Sequence, residues 1–155
     1  MHAWLNSLRR DQRGVAVVEF ALVVPIWLLL FSGMLEIGRA YYQTDTLEKA
    51  VRAGALYAAR HPLPLNATTL TEAENLVRTG TVDGSGNYLI SGWSKAGNDL
   101  EITTHDYAID STTSVPVVRV VAKVPFDPLL PGLPSFVGLG TFTMSAVNEQ
   151  AYVGD

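Results

Sequence analysis

The sequence predicts an α+β protein. A long N-terminal transmembrane-plus-amphipathic helix packs on a small antiparallel β-sheet of about four strands, with one additional short helix. Three observations predict this. An apolar run from Val15 to Leu35 carries a single charge, Glu19. Spacing of three and four continues beyond it to a proline-rich stop. Alternating apolar segments separated by turn residues fill the C-terminal half.

The run from Val15 to Leu35 is about 21 residues, or roughly 31 Å as a helix, which matches a hydrocarbon core. Pro25 interrupts it, and transmembrane helices tolerate proline. Arg9, Arg10 and Arg13 cluster before the run and Glu36 follows it. The positive-inside rule then puts the N-terminus in the cytoplasm and the C-terminal domain outside. A cleaved secretory signal would have a shorter apolar run and a small-x-small site after it. Neither is found in "SGMLEIGRAYY". An uncleaved signal anchor is the stronger competitor.

Beyond Leu35, Ile37, Tyr41, Thr44, Leu47, Val51, Ala55 and Ala58 recur on one expected helix face. Gln43, Asp45, Glu48, Lys49 and Arg52 are expected on other faces. His61-Pro62-Leu63-Pro64 should end the helix near Arg60. The organisation is thus a leader over 1–14, a membrane span over 15–35, an amphipathic stem over 36–60 and an extracytoplasmic domain over 61–155.

A second helix is expected from about Thr69 to Thr79, with Thr69 or Thr71 before Glu72 or Glu74 as a capping box and Gly80 as a stop. Strands are expected over Tyr88–Trp93, Leu100–Ile109, Val115–Phe126 and Thr141–Val153. Val118, Val120, Ala122 and Val124 should line one face of the third, and Phe142, Met144 and Ala146 one face of the fourth. The loop over 127–140 is rich in proline and glycine yet carries Leu129, Leu130, Leu133, Phe136 and Val137. It should tuck under the sheet or meet a partner or membrane surface.

Composition excludes several functions. There is no cysteine, so disulfides, thiolate metal sites and cysteine nucleophiles are absent. A net charge of -4 argues against nucleic acid as a partner. Asp83, Ser85 and Asn87 alternate like calcium ligands, but Tyr88 and Ser94 stand where the loop needs glycine and glutamate. Among the histidines, His2 falls in the leader. His61 suits a helix C-cap, and His105 and Asp106 would point to opposite strand faces. No nucleophile elbow, phosphate loop or metalloprotease helix occurs. No catalytic, cofactor-binding or metal site is expected, and the protein is not expected to be an enzyme.

Glu19 poses the functional question. A charge at the bilayer centre costs at least about 2.5–3.5 kcal/mol, and an intramembrane carboxylate calls for a partner. No Lys or Arg lies within the span. A cut between Gly14 and Val15 would create one: a new α-amino group four residues before Glu19. It could neutralise Glu19 within the chain or pair with a neighbouring subunit and set helix register.

"RGVAVVEF" resembles the processing site of type IV prepilins. The fuller string from Arg9 to Tyr42, with Pro25 and the E-x-G-R of Glu36 to Arg39, resembles the N-terminus of TadE-like minor pseudopilins of the tight-adherence (Flp) pilus and secretion systems. The resemblance implies that Gly14 precedes the bond cut by a prepilin peptidase and that Val15 becomes the mature N-terminus. It makes Glu19 the assembly carboxylate and Phe20 the aromatic that follows it. That aromatic is often tyrosine in such pilins, and Phe20 reads as lipid-facing packing. Implied partners are the peptidase, other pilins or pseudopilins, inner-membrane platform proteins of the Tad system and the lipid bilayer. The implied location is the bacterial inner membrane, single-pass, with the C-terminal domain periplasmic and incorporation into a pilus open to it. The alternative is an uncleaved, signal-anchored periplasmic binding domain.

Overall fold

The structure is a computed structural model, and it describes residues 12–132 and 142–154. Helix α1 spans Gln12–Ala58 and α2 spans Ala67–Thr79. A 3-10 turn over Ser91–Ser94 precedes strands β1 (Asp99–Ala108), β2 (Ser114–Pro125) and β3 (Thr143–Ala151). The chain divides into two compact units at Gly38–Arg39.

The unit from Arg39 onward is an α+β domain. Its three-stranded antiparallel sheet has the order β1-β2-β3. Leu100 pairs with Ala122 across β1 and β2, and Ala122 with Ala146 across β2 and β3. Val118, Val120, Ala122 and Val124 are fully buried on one face of β2, as the alternation predicts. Met144 and Ala146 continue that face on β3, and Leu100 and Ile102 pack against the core from β1. Phe142 lies just before β3 and stacks on Phe126 with ring centroids 4.7 Å apart.

Leu47, Val51, Ala55 and Ala58 of α1 join this core, so the stem supplies the helical layer that covers the sheet. Burying each Val or Leu side chain contributes about 1.5–3 kcal/mol before the entropy of ordering is subtracted. The upper part of the expected stripe is corrected. Tyr41 is exposed, and Gln43, expected on a polar face, is buried. Both the 41–44–47 and the 43–47 steps satisfy helical spacing; the structure uses the second. Ile37, in the other unit, is also exposed.

The helix ends as the sequence predicts. Arg60 and His61 close a final tighter turn on the carbonyls of Tyr57 and Ala58. His61 Nδ1 lies 2.8 Å from the Tyr57 carbonyl, so it caps that oxygen when Nδ1 carries the proton. Its ring packs on Tyr57 at 4.4 Å.

Helix α2 starts earlier than expected. The cap is Asn66, whose side-chain oxygen accepts the Thr69 N–H at 2.8 Å, in place of the Thr69 or Thr71 box. Gly80, at φ 78°, stops it, and its N–H reaches the Leu76 carbonyl. Thr69, Ala73 and Val77 face inward at i, i+4 spacing. Gly54 of α1 meets them: a Cβ there would collide with Val77 Cγ2 and sit 3.3 Å from the Ala73 carbonyl. The missing side chain at Gly54 therefore lets the two helices approach closely. The Tyr57 hydroxyl donates to Glu72 at 2.8 Å across the same contact.

The segment Tyr88–Trp93 is not a strand, and the described residues form three strands in place of about four. Ile90 and Trp93 are both buried. They stand three apart, which a strand would place on opposite faces and a 3-10 turn places together. Gly92 sits so close to the Pro125 carbonyl and Val124 side chain that a Cβ would collide with both. A short apolar run cannot show this choice by periodicity alone.

Candidate functional site

The N-terminal part of α1 is hydrophobic all round. Val15, Val18, Phe20, Leu22, Trp27 and Leu30 point in different directions, and each is at least 58% exposed. A helix that is apolar on every side belongs in lipid or among other apolar helices. It is also long and apolar enough to cross a membrane, with mean hydropathy 2.4 over its best stretch. These features fit a single-pass membrane protein.

The predicted processing and assembly residues fall at the beginning of this helix. Gly14 lies in its first turn, and a Cβ built on it would meet nothing within 4 Å. Val15 and Glu19 are one turn apart at i, i+4 and share a face. Glu19 is exposed, as is Phe20 at 71%. Neighbours in sequence project about 100° apart on a helix, so Phe20 leaves the Glu19 face open. Arg13 is helical. Arg9, Arg10 and His2 lie outside the described residues, as does the loop call from 133 to 140.

The stem beyond Gly38 carries polar contacts of its own. Asp45 and Lys49 form an exposed i, i+4 pair at 2.7 Å. The hydrogen bond and charge of Asp45 raise the Lys49 pKa. Arg39 donates to the Asp127 carbonyl at 3.1 Å, 88 positions away in sequence. Lys95 pairs with the Asp127 carboxylate. The hydrogen bond from Lys95 holds the Asp127 carboxyl below the usual carboxylate range, and Ser91 and the charges of Lys95 and Arg39 act in the same direction. Sequence reasoning missed this Arg39–Asp127–Lys95 cluster. The one available signal was an aspartate next to proline at the end of the strongest strand.

Other candidates resolve into local structure. Asp83 accepts the Ser85 N–H at 3.1 Å and its hydroxyl at 2.9 Å, which makes a turn and lowers the carboxyl pKa. Asp110 does the same for Thr112 and Thr113 in the β1–β2 hairpin. His105 and Asp106 are exposed neighbours on β1 and project to opposite faces. Among the described residues, no three His, Asp or Glu side chains stand close enough to share a metal ion. The arrangement is an exposed apolar helix with one carboxylate near its beginning.

Comparison with known proteins agrees with the helix as the distinguishing feature. Residues 14–56 match the family model described as TadE-like protein. The match starts at Gly14 and runs through the span into the buried part of the stem. No curated protein and no solved structure matches the chain.

Proposed function

We propose that this TadE-like protein is a minor pseudopilin-like assembly component of a Tad (Flp) pilus or a related secretion apparatus. The proposed precursor is inserted with its N-terminus in the cytoplasm and its α+β domain in the periplasm, then cut after Gly14 by a prepilin peptidase. The role is structural, and no chemistry is assigned to the domain.

The observation that carries the proposal is the exposed apolar helix with Glu19 one turn from Val15, the residue after Gly14. Cleavage gives Val15 a free ammonium group on the same side as the carboxylate. The pair neutralises within the chain, or the amine pairs with Glu19 of a neighbouring subunit. A helix out of register would leave a desolvated charge unpaired. Apolar flanks on every other side suit packing among the helices of further pilins and the platform proteins in the inner membrane.

Gly14 also suits cutting. Glycine is about 0.8–1.0 kcal/mol less favourable than alanine inside a helix, so the first turn opens readily into a protease site. Its missing Cβ serves no packing within the chain. A processing defect in Gly14→Ala therefore reports on opening or recognition of the cut site and not on packing within the chain.

N-terminal sequencing or intact mass of protein from membranes containing a prepilin peptidase is the test. The expected chain begins at Val15; a full-length product overturns the proposal in favour of an uncleaved signal-anchored binding domain. Gly14→Ala should reduce the cut, seen as a gel shift. Glu19→Ala should still be cut and should lose assembly; normal pili in that variant would refute the pairing.

A further inference from the structure

We propose that residues 127–132 form a second membrane contact, in which Leu129 and Leu130 dip into the lipid surface from which the stem emerges. The inference rests on α1 crossing the bilayer, as in the proposed function. The occupant is the headgroup and upper acyl region of a phospholipid leaflet.

Two leucines at 58% and 44% exposure stand together in the sequence Asp127-Pro128-Leu129-Leu130-Pro131-Gly132. Proline on either side prevents the pair from joining a strand or helix. Gly132 follows in the left-handed region with φ 101°. The short apolar tip thus stands outside the core, while the chain before it is firmly held: Phe126 is buried, and its N–H donates to the Phe142 carbonyl at 2.9 Å.

The loop's anchor limits how far it can stand from the end of the apolar run. Asp127 receives the Arg39 guanidinium on its carbonyl and Lys95 on its carboxylate. Arg39 is four residues past Leu35, the last residue of the apolar run. Four residues span at most about 14 Å fully extended, and about 6 Å as helix. The headgroup layer is roughly 5–8 Å thick on each side of the hydrocarbon core. Arg39 therefore lies within about 14 Å of the end of the apolar run, near that layer when the run ends at the hydrocarbon boundary.

The aromatic residues next to Arg39 suit that position. Tyr41 and Tyr42 follow Arg39 on the stem and are 79% and 69% exposed. Such amphipathic rings concentrate at membrane–water interfaces. An apolar tip of this size would settle about 5–10 Å into the headgroup–acyl boundary. Two shallow leucines cannot anchor a protein alone; they orient a domain already tethered by α1.

The native chain has no cysteine, so single-cysteine labelling is clean. The full chain is placed in phosphatidylcholine–phosphatidylglycerol nanodiscs with a polarity-sensitive fluorophore on Leu129→Cys or Leu130→Cys. Ile26→Cys marks the span and Thr112→Cys the hairpin turn, which is exposed. A lipid carrying a nitroxide at a shallow acyl position is the quencher for the 129, 130 and 112 labels, and one carrying it deep in the acyl chain is the quencher for the 26 label. The 129 and 130 labels should be blue-shifted relative to the 112 label and should lose emission when the nitroxide lipid is present. Water-like emission at both positions overturns the proposal. So does a blue shift without lipid quenching, which would mean that protein covers the loop. Quenching at 26 without quenching at 129 or 130 sinks the loop contact alone; no quenching at 26 removes the membrane span and the loop contact together.

Discussion

Residues 14–35 and residues 39–58 of α1 differ in what covers them, although one helix assignment runs through both. The first stretch presents valine, leucine and phenylalanine in every direction, and its large side chains lie mostly exposed. The second alternates Leu47, Val51, Ala55 and Ala58 against Asp45, Lys49 and Arg52, and its apolar side is buried under the sheet and α2. The stem finds its cover within its own chain. The span must find it outside, in lipid or in other helices. Glycine marks the same contrast: Gly54 is needed for helix approach, whereas a Cβ on Gly33 would meet nothing.

The largest expected effect separates the two stretches directly. Leu47→Ala removes a fully buried side chain and should destabilise the domain by about 2–5 kcal/mol. Leu30→Ala, in the exposed stretch, should leave the domain's stability unchanged. Urea unfolding of both variants in the same detergent, followed by near-UV circular dichroism, measures the difference. Equal losses would break the comparison, because the span would then belong to the folded domain.

Glycine gives a smaller test of the same kind. Gly54→Ala pushes a methyl into Val77 and the Ala73 carbonyl and should destabilise by about 1–3 kcal/mol. Adding Val77→Ala should recover part of that loss, since it removes the colliding Cγ2. Gly33→Ala should cost nothing in the isolated chain. If it nevertheless impairs assembly while the domain's unfolding midpoint is unchanged, the contact it serves is between subunits.

Across the α1–α2 contact, Tyr57→Phe deletes the hydroxyl that donates to Glu72. The site is only half-buried, so the loss should be about 0.5–1.5 kcal/mol in the same unfolding experiment. A loss as large as that of Leu47→Ala would mean that the polar contact, and not apolar burial, holds α2 on the stem.

Much of this was legible in the sequence, for physical reasons that differ between elements. The span is readable because a run of about 20 apolar residues has few other uses. Strand β2 is readable because Val118, Val120, Ala122 and Val124 alternate with Arg119, Val121 and Lys123, two of them charged. Helix spacing alone could not decide between Tyr41 and Gln43, because steps of three and four allow both faces; the partner surface decides. Tyr88–Trp93 was misread because burial of Ile90 and Trp93 depends on the close approach of Gly92 to Pro125, a contact distant in sequence. Gly54 stands among alanines in the sequence, and its contact with Val77 becomes visible only in the fold. Arg39 and Asp127 meet across 88 positions, and neither residue's local pattern announces the other.

The smallest expected effect concerns that last contact and depends on pH. In the folded protein the Asp127 carboxyl is held below the usual carboxylate range, chiefly by the hydrogen bond from Lys95. A depressed pKa means that the unfolded chain binds this proton more readily than the folded one. Stability from the contact is therefore fully present above about pH 4, the ordinary aspartate range, and is lost as pH falls through the lower folded value. Asp127→Asn cannot titrate there. Unfolding midpoints measured from neutral to acid pH should fall more steeply for the native chain than for Asp127→Asn, with the two curves converging at the acid end. Parallel curves would show that the Lys95 pairing contributes nothing in solution. The stem would then hold the 127–132 loop only through the Arg39 bond to the backbone carbonyl, which the substitution leaves intact.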